Sequence, residues 1–317
     1  MRDVNPKEWL ALGEDLAPKL KDFDIINPHN FPSYIWAYYV KLRLGERSSA
    51  IIWYCHEPLR ILYREITDPK GFRFYSKYNN PELKTIDMKA VSQIDHIVCN
   101  SRFTANNVEK IFNRAATVCH PGINMVETQD CDRKNFRMVT RIYREKNVER
   151  IINAMVLIRE TRPDIYENCS FEIVGEGADE GRLKTLVKDI GISNIKFCGF
   201  IPDKELPAFY AGAKAIVYIP LDEPFGLVPL EAMFHKTPVI ASNQGGIPEK
   251  VINGVTGILI DPVVIEVLTD AMQRIYDNPQ LANELGTAGR TRVLERFTVD
   301  SFINKLEKKF FSLSGVK

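Results

Sequence analysis

Short apolar runs of four to six residues recur almost from end to end of this chain, and amphipathic segments fall between them. The runs are DIINPH from Asp24, AIIWYCH from Ala50, DHIVCN from Asp95 and TVCH from Thr117. A second set follows: FRMVTRI from Phe136, FEIVG from Phe171, IKFCGF from Ile195, AIVYIP from Ala215, PVIAS from Pro238 and GILI from Gly257. Strands of this length that read as near-continuous apolar runs need cover on both faces, and strands separated by helices pair in parallel. The chain is therefore expected to be α/β with parallel sheets. In NVERIINAMVLIRE, Val148, Ile151, Ile152, Met155 and Ile158 recur at helical spacing on one face.

The run GINMVETQDCDRKN, Gly122 to Asn135, is polar and aperiodic, and reads as a linker. It divides the chain into a lobe over 1–133 and a second over 134–295. A final amphipathic helix over 296–317 is capped by Thr298 or Asp300 and is expected to cross back to the first lobe. Lys and Arg number 42 against 41 Asp and Glu, a net charge of +1, so no global basic field argues for nucleic acid. The six cysteines, Cys55, Cys99, Cys119, Cys131, Cys169 and Cys198, contain no CxxC, and most flank apolar runs. They read as buried thiols of a reducing compartment. A charged N-terminus is not a signal peptide, and no run approaches the ~18 apolar residues of a membrane span. A soluble cytoplasmic protein is expected, with contact at the inner membrane face as a further expectation.

The stretch AIVYIPLDEPFGLVPLEAMF reads strand, turn, helix. Ligands of open α/β sheets bind at the carboxyl ends of strands. A helix following Gly226 would point amide N–H groups and its positive dipole end at that crevice, which suits a diphosphate. Gly226 would let the backbone approach a ligand. Glu231 can accept two hydrogen bonds from a cis-diol such as ribose, and Glu223 can reach the hydroxyls of a sugar. The alternative is that both glutamates only complement the helix dipole, at roughly 0.3–1 kcal/mol each.

E-P-F-G-L-V-P-L-E-A-M, followed by T-P-V-I-A-S and G-G-I-P-E, resembles the E-x7-E signature of retaining GT-B glycosyltransferases of family 4. RIYREKNVERIINAM resembles the family's R-x4-K segment, giving Arg141 and Lys146. FEIVGEG resembles its V-G-x-G strand end, giving Gly175 and Gly177. WYCHEPLR, with His56, resembles the H-x-P strand end of mannosyltransferase-like members, and DHIVCNSRFTANNVEKIF the N-S segment before the crossover. The resemblance covers the chain from about Asp24 onward. It implies two Rossmann-like lobes and transfer of a hexose, with mannose suggested by YCHEPLR, from a GDP- or UDP-sugar to a glycan or lipid-linked acceptor. It also implies retention of configuration and no bound metal or other cofactor.

Arg141 and Lys146 would meet the diphosphate leaving group, Arg as a fork and Lys as a point charge, acting most strongly as the glycosidic bond breaks. Their alternative is a pair of solvated cations at a helix start. His56 would contact the donor sugar or diphosphate, with a hydrogen-bonded structural histidine as the alternative; His29 reads more readily as structural. Phe200 and Ile201 stand where the family's backbone meets the nucleobase, or pack in the core. Phe225 and Leu227 complete the turn around Gly226 as donor-binding residues. Asp22 with Asp24 and Asp130 with Asp132 match D-x-D, best explained by chance. GFRFYSKYNN from Gly71 could touch a membrane surface or glycan.

The sequence also departs from the family pattern. The opening strand and Gly-rich loop have no counterpart before Asp24, so the N-terminal lobe reads as truncated. An exposed sheet edge would then favour a homodimer. Asn147 stands for a common Gly, and Lys236 for another at a cost of about 1 kcal/mol if left-handed. The competing function is a catalytically impaired nucleotide-sugar-binding partner subunit. An epimerase or phosphorylase of the same fold is a third reading, the phosphorylase disfavoured by the lack of a lysine in a pyridoxal context.

Overall fold

The computed structural model describes residues 6–45, 49–63, 80–129 and 131–314. The stretch from Gly71 and Asp130 of the second D-x-D lie outside the described residues. Every apolar run singled out above carries a strand, and the chain divides into two compact units.

The first unit comprises the chain up to Pro121 and the segment from Phe302. Its four parallel strands are β1 (Ile25–Ile26), β2 (Ala50–Cys55), β3 (His96–Cys99) and β4 (Thr117–Val118), ordered β1-β2-β3-β4. From Ile51 to Cys55, β2 is buried throughout. Ile51, Trp53 and Cys55 face one side with Tyr34, Ile35, Leu83 and Val108. Ile52 and Tyr54 face the other, where Phe302, Leu306 and Phe310 of the last helix (Val299–Ser314) cover them. This alternation is why the run could not read as a half-solvated strand: each face has its own helical cover. The last helix starts with Ser301 N donating to Thr298 Oγ1 at 3.0 Å, so Thr298 is its cap.

The second unit runs from Gly122 to Ser301. Its six parallel strands are β5 (Asn135–Val139), β6 (Phe171–Val174), β7 (Ile195–Gly199), β8 (Ala213–Tyr218), β9 (Val239–Ser242) and β10 (Ile258–Ile260). Their order is β10-β9-β8-β5-β6-β7. The chain thus builds outward from β5 in one direction, returns to its other side with β8, and builds outward again. The helix over Val148–Thr161 buries Val148, Ile151, Ile152, Met155 and Ile158, the face its periodicity marked.

The polar run from Gly122 to Asn135 is irregular, but it is not a free tether. Ile123 N donates to Phe297 O at 2.9 Å, Arg290 holds the Glu127 carboxylate, and a Cβ on Gly122 would meet Thr298 O at 2.2 Å. Its contacts place residues 122–133 with the second unit. The thiols of Cys55, Cys99, Cys119 and Cys169 are buried as read, whereas Cys131 is half-buried and Cys198 exposed. Cys198 lies on β7, the edge strand, whose residues alternate in burial.

Candidate functional site

In the second unit the strand order reverses between β5 and β8, so the two chain ends leaving these strands diverge and open a crevice at their carboxyl edge. Arg141 follows β5 by two residues, and the turn carrying Glu223 follows β8. Both segments flagged by sequence therefore sit at the place the topology reserves for a ligand.

Lys146 Nζ lies 2.6 Å from Glu223 Oε2, and these side chains are only 13% and 14% exposed. Leu221 N donates to Glu145 O at 2.9 Å and stitches the same two segments. Behind the turn lies Tyr218, the last residue of β8. Burial raises its phenol well above the ordinary range. Glu223, which also accepts its hydrogen bond, and Glu231 push it further, while Arg141 opposes them. One buried hydroxyl thus feels Glu223, Glu231 and Arg141 together, and Lys146 is bonded to the first of them. Arg141 is exposed, packs over the Tyr143 ring at 5.7 Å, and among the described residues has no ion pair. The two cations are therefore unlike. Lys146 is already balanced by a carboxylate, and Arg141 is not.

Glu231 lies in the short helix Val228–Phe234. Tyr210 donates its hydroxyl to Glu231 Oε2 at 2.5 Å, which orients the carboxylate and leaves Oε1 for another donor. Burial raises the Glu231 pKa, with the Tyr210 bond working against that shift.

The glycines are needed for packing inside the protein, not only for access. Gly226 has φ +78°, and a Cβ there would stand 2.9 Å from the Tyr218 ring. A Cβ on Gly175 would meet Thr140 O at 1.8 Å, and one on Gly177 would meet Ile142 O at 2.1 Å. These two glycines let the chain beyond β6 run against the chain beyond β5, which is how the segment bearing Arg141 is held. Phe200 is 69% exposed, so the core-packing reading fails for it; Ile201 is half-buried. Phe225 is buried and Leu227 is exposed.

Lys250 escaped the sequence reading. It is 0% exposed, and its ammonium donates to Phe225 O and to Gly246 O at 2.8 Å, with the Phe225 ring centroid 3.9 Å away. It ties the Glu223–Gly226 turn to the loop bearing Gly245 and Gly246. Gly246 N also donates to Glu223 O at 2.8 Å. Burial pushes its pKa down to about 7, with Glu249 and Glu223 acting the other way. No sequence signal beyond proximity to G-G-I-P-E marks it, because a lysine after a glutamate reads as a solvated pair.

In the first unit, His56 follows β2 directly. Asn100 Nδ2 donates to His56 O at 2.8 Å, so the N-S segment after β3 fixes the histidine backbone. Asn100 itself is buried, and among the described residues its Oδ1 has no hydrogen-bond partner. His56 Nε2 lies 3.1 Å from His29 Nδ1, and His29 Nε2 lies 2.9 Å from Asn27 Oδ1. Burial, then His29, pushes the His56 pKa down to about 4. Among the described residues no group of three His, Cys, Asp or Glu side chains is placed to hold a metal ion, and no helix is long and apolar enough to cross a membrane.

The glycosyl transferases group 1 model matches residues 123–292, and the glycosyltransferase family 4 model matches residues 4–127. The chain is 27% identical over 290 residues to alpha-1,3/1,6-mannosyltransferase ALG2 of Mus musculus, covering 83% of this chain and 68% of that protein. It is 28% identical over 241 residues to a Mycolicibacterium smegmatis protein, covering 68% of this chain and 62% of that one. That protein is a GDP-mannose-dependent alpha-(1-6)-phosphatidylinositol monomannoside mannosyltransferase. Among solved structures, sucrose-phosphate synthase from Thermosynechococcus elongatus superposes with a TM-score of 0.80 at 21% identity, covering 99% of this chain and 81% of that one. Two parallel-sheet Rossmann-like units, a strand-order reversal flanked by Arg141 and Glu223, and a family model spanning more than half the sequence agree: the chain is a glycosyltransferase of the GT-B fold and belongs to the glycosyl transferases group 1 family.

Proposed function

We propose that the protein transfers mannose from GDP-mannose to a glycan or lipid-linked acceptor with retention of anomeric configuration. The observation that carries this reading is the gathering of Glu223, Lys146, Arg141 and Glu231 around Tyr218 at the strand-order reversal of the second unit. The mannosyltransferase relatives support the sugar, and the mycobacterial relative supports the GDP donor.

The chemistry follows from charge. A nucleoside diphosphate leaves with growing negative charge as the bond to the anomeric carbon breaks. Fixed cations that contact it stabilise the transition state more than the ground state. Arg141, with no ion pair among the described residues, supplies a planar fork for two phosphate oxygens. Lys146 supplies a point charge held in register by Glu223. When phosphate arrives, Glu223 shares Lys146 with it and turns its remaining lone pairs to the sugar hydroxyls. Glu231, oriented by Tyr210, accepts from the ribose diol. Exposed Phe200 and half-buried Ile201 offer a surface for the base. His56 is assigned to a sugar hydroxyl, and no protein nucleophile or metal is required.

The test is incubation with GDP-mannose, and in parallel UDP-glucose, plus a lipid-linked mannosyl glycan, following release of the nucleoside diphosphate. GDP release that depends on acceptor supports the proposal. GDP-mannose binding without release marks the protein as a nucleotide-sugar-binding partner instead.

A further inference from the structure

The polar chain behind His56 has a direction that can be worked out from chemistry alone. Asn27 Nδ2 lies 2.5 Å from Ile52 O. A backbone carbonyl only accepts, so the Asn27 atom facing it must be the amide nitrogen. That fixes Oδ1 as the atom facing His29 Nε2 at 2.9 Å, and an amide oxygen also only accepts. His29 therefore carries its proton on Nε2. In a neutral imidazole the other nitrogen is then bare, so His29 Nδ1 must accept from His56 Nε2 at 3.1 Å. His56 is left with its proton on Nε2 and a lone pair on Nδ1, which among the described residues has no hydrogen-bond partner.

We propose that His29, held by Asn27, is a positioning residue that locks His56 as the neutral tautomer whose bare Nδ1 accepts a hydrogen bond from a sugar hydroxyl. The proposal rests on the reading of His56 as a substrate contact. A sugar hydroxyl suits that nitrogen because it can donate to Nδ1 and still accept from another group.

The frame around the pair is stiff. His29 bridges to Tyr54 of β2, and Tyr54 N donates to Pro28 O at 3.0 Å. The His29 ring stacks on the Tyr54 ring at 5.1 Å, and the His56 ring meets the same ring edge-on at 4.8 Å. Burial favours the neutral form of both imidazoles, and His29 further disfavours a charge on His56. Among the described residues no carboxylate is one of the groups that shift either ring. A protonated His29 would have to donate from Nδ1, which would reverse the bond and place the His56 proton on Nδ1. Neutrality is what makes the chain directional.

The test combines ring-nitrogen NMR of the full chain at pH 7 with GDP release from GDP-mannose. In the wild type, His56 Nδ1 should resonate as a bare imidazole nitrogen and Nε2 as a protonated one. His29→Leu should blur the two nitrogens of His56 and lower turnover on the order of ten- to a hundredfold, as loss of an orienting partner does, with GDP affinity unchanged. His29→Gln keeps one acceptor and one donor on a single amide, so it should restore the His56 nitrogen pattern and most of the turnover. A protonated His56 Nδ1 in the wild type, or a His29→Leu protein that turns over at the wild-type rate, overturns the proposal. His56→Ala at wild-type turnover would instead overturn the reading of His56 itself, and the positioning role with it.

Discussion

The two units are built from the same parts, parallel strands under helices, yet they order their strands differently. Along the first sheet the described strands follow one another in sequence order, β1-β2-β3-β4. The second sheet starts in its middle and grows both ways. Only the second arrangement makes neighbouring chain ends diverge and leave room for a ligand between them. The polar chemistry follows that difference. The second unit gathers a Lys–Glu pair, an unbalanced arginine, two buried tyrosines and a buried lysine beneath one turn. The first presents a neutral pair of histidines and an amide oxygen that has no partner among the described residues. A charged pocket suits a diphosphate, and a neutral one suits hydroxyls.

The largest expected effect comes from removing a cation. Arg141→Met and Lys146→Met should each cut GDP release from GDP-mannose on the order of 10²–10³-fold, the scale for losing one preorganised donor to a developing anion. His56→Ala should lower turnover less and leave GDP affinity where it was. If His56→Ala weakens GDP binding as much as Lys146→Met does, the division of labour between the units collapses. Next comes Lys250→Met, which strips a donor from two buried carbonyls and should cost about 1–3 kcal/mol of stability. The pH dependence sharpens this. The folded-state pKa of Lys250, about 7, lies below its ordinary 10.5, so the unfolded chain binds the extra proton in that window. Stability owed to this site therefore rises with pH from about 7 upward. Denaturant melts should show the gap between wild type and Lys250→Met widening from pH 7 to pH 9; a gap that stays flat would mean the lysine stays charged in the fold. The smallest effect is Lys236→Gly. Lys236 has φ +54°, so glycine should relieve strain worth about 0.5–1 kcal/mol, read as a small rise in melting temperature.

How much of this was legible beforehand depended on which physical rule wrote it. Strands β1 to β10 were visible because parallel strands must be apolar on both faces, and the helical face of Val148–Thr161 was visible because 3.6-residue spacing is local. Asn147, with φ +64°, was readable as a left-handed position because few other residue types replace glycine there. Strand order was not readable, since pairing is decided between segments far apart in sequence. Glu223 and Glu231 announced themselves through their spacing around a turn. Tyr210 and Tyr218 did not, although the aromatic end of AIVYIP was a signal: a tyrosine ending a buried strand needs a partner for its hydroxyl. Lys250 was invisible because its burial depends on two loops closing over it. Gly175 and Gly177 were found for an incomplete reason, their nearest constraint being the backbone leaving β5.

The central claim is that the turn after β8 and the segment after β5 hold a nucleoside diphosphate. Calorimetric titration of GDP into the wild type and Glu231→Ala tests it most directly, because it needs no acceptor and no turnover. Losing the oriented carboxylate should weaken GDP binding on the order of ten- to a hundredfold, the equivalent of about one hydrogen bond to a charged group. Equal affinity in the two proteins would contradict the account.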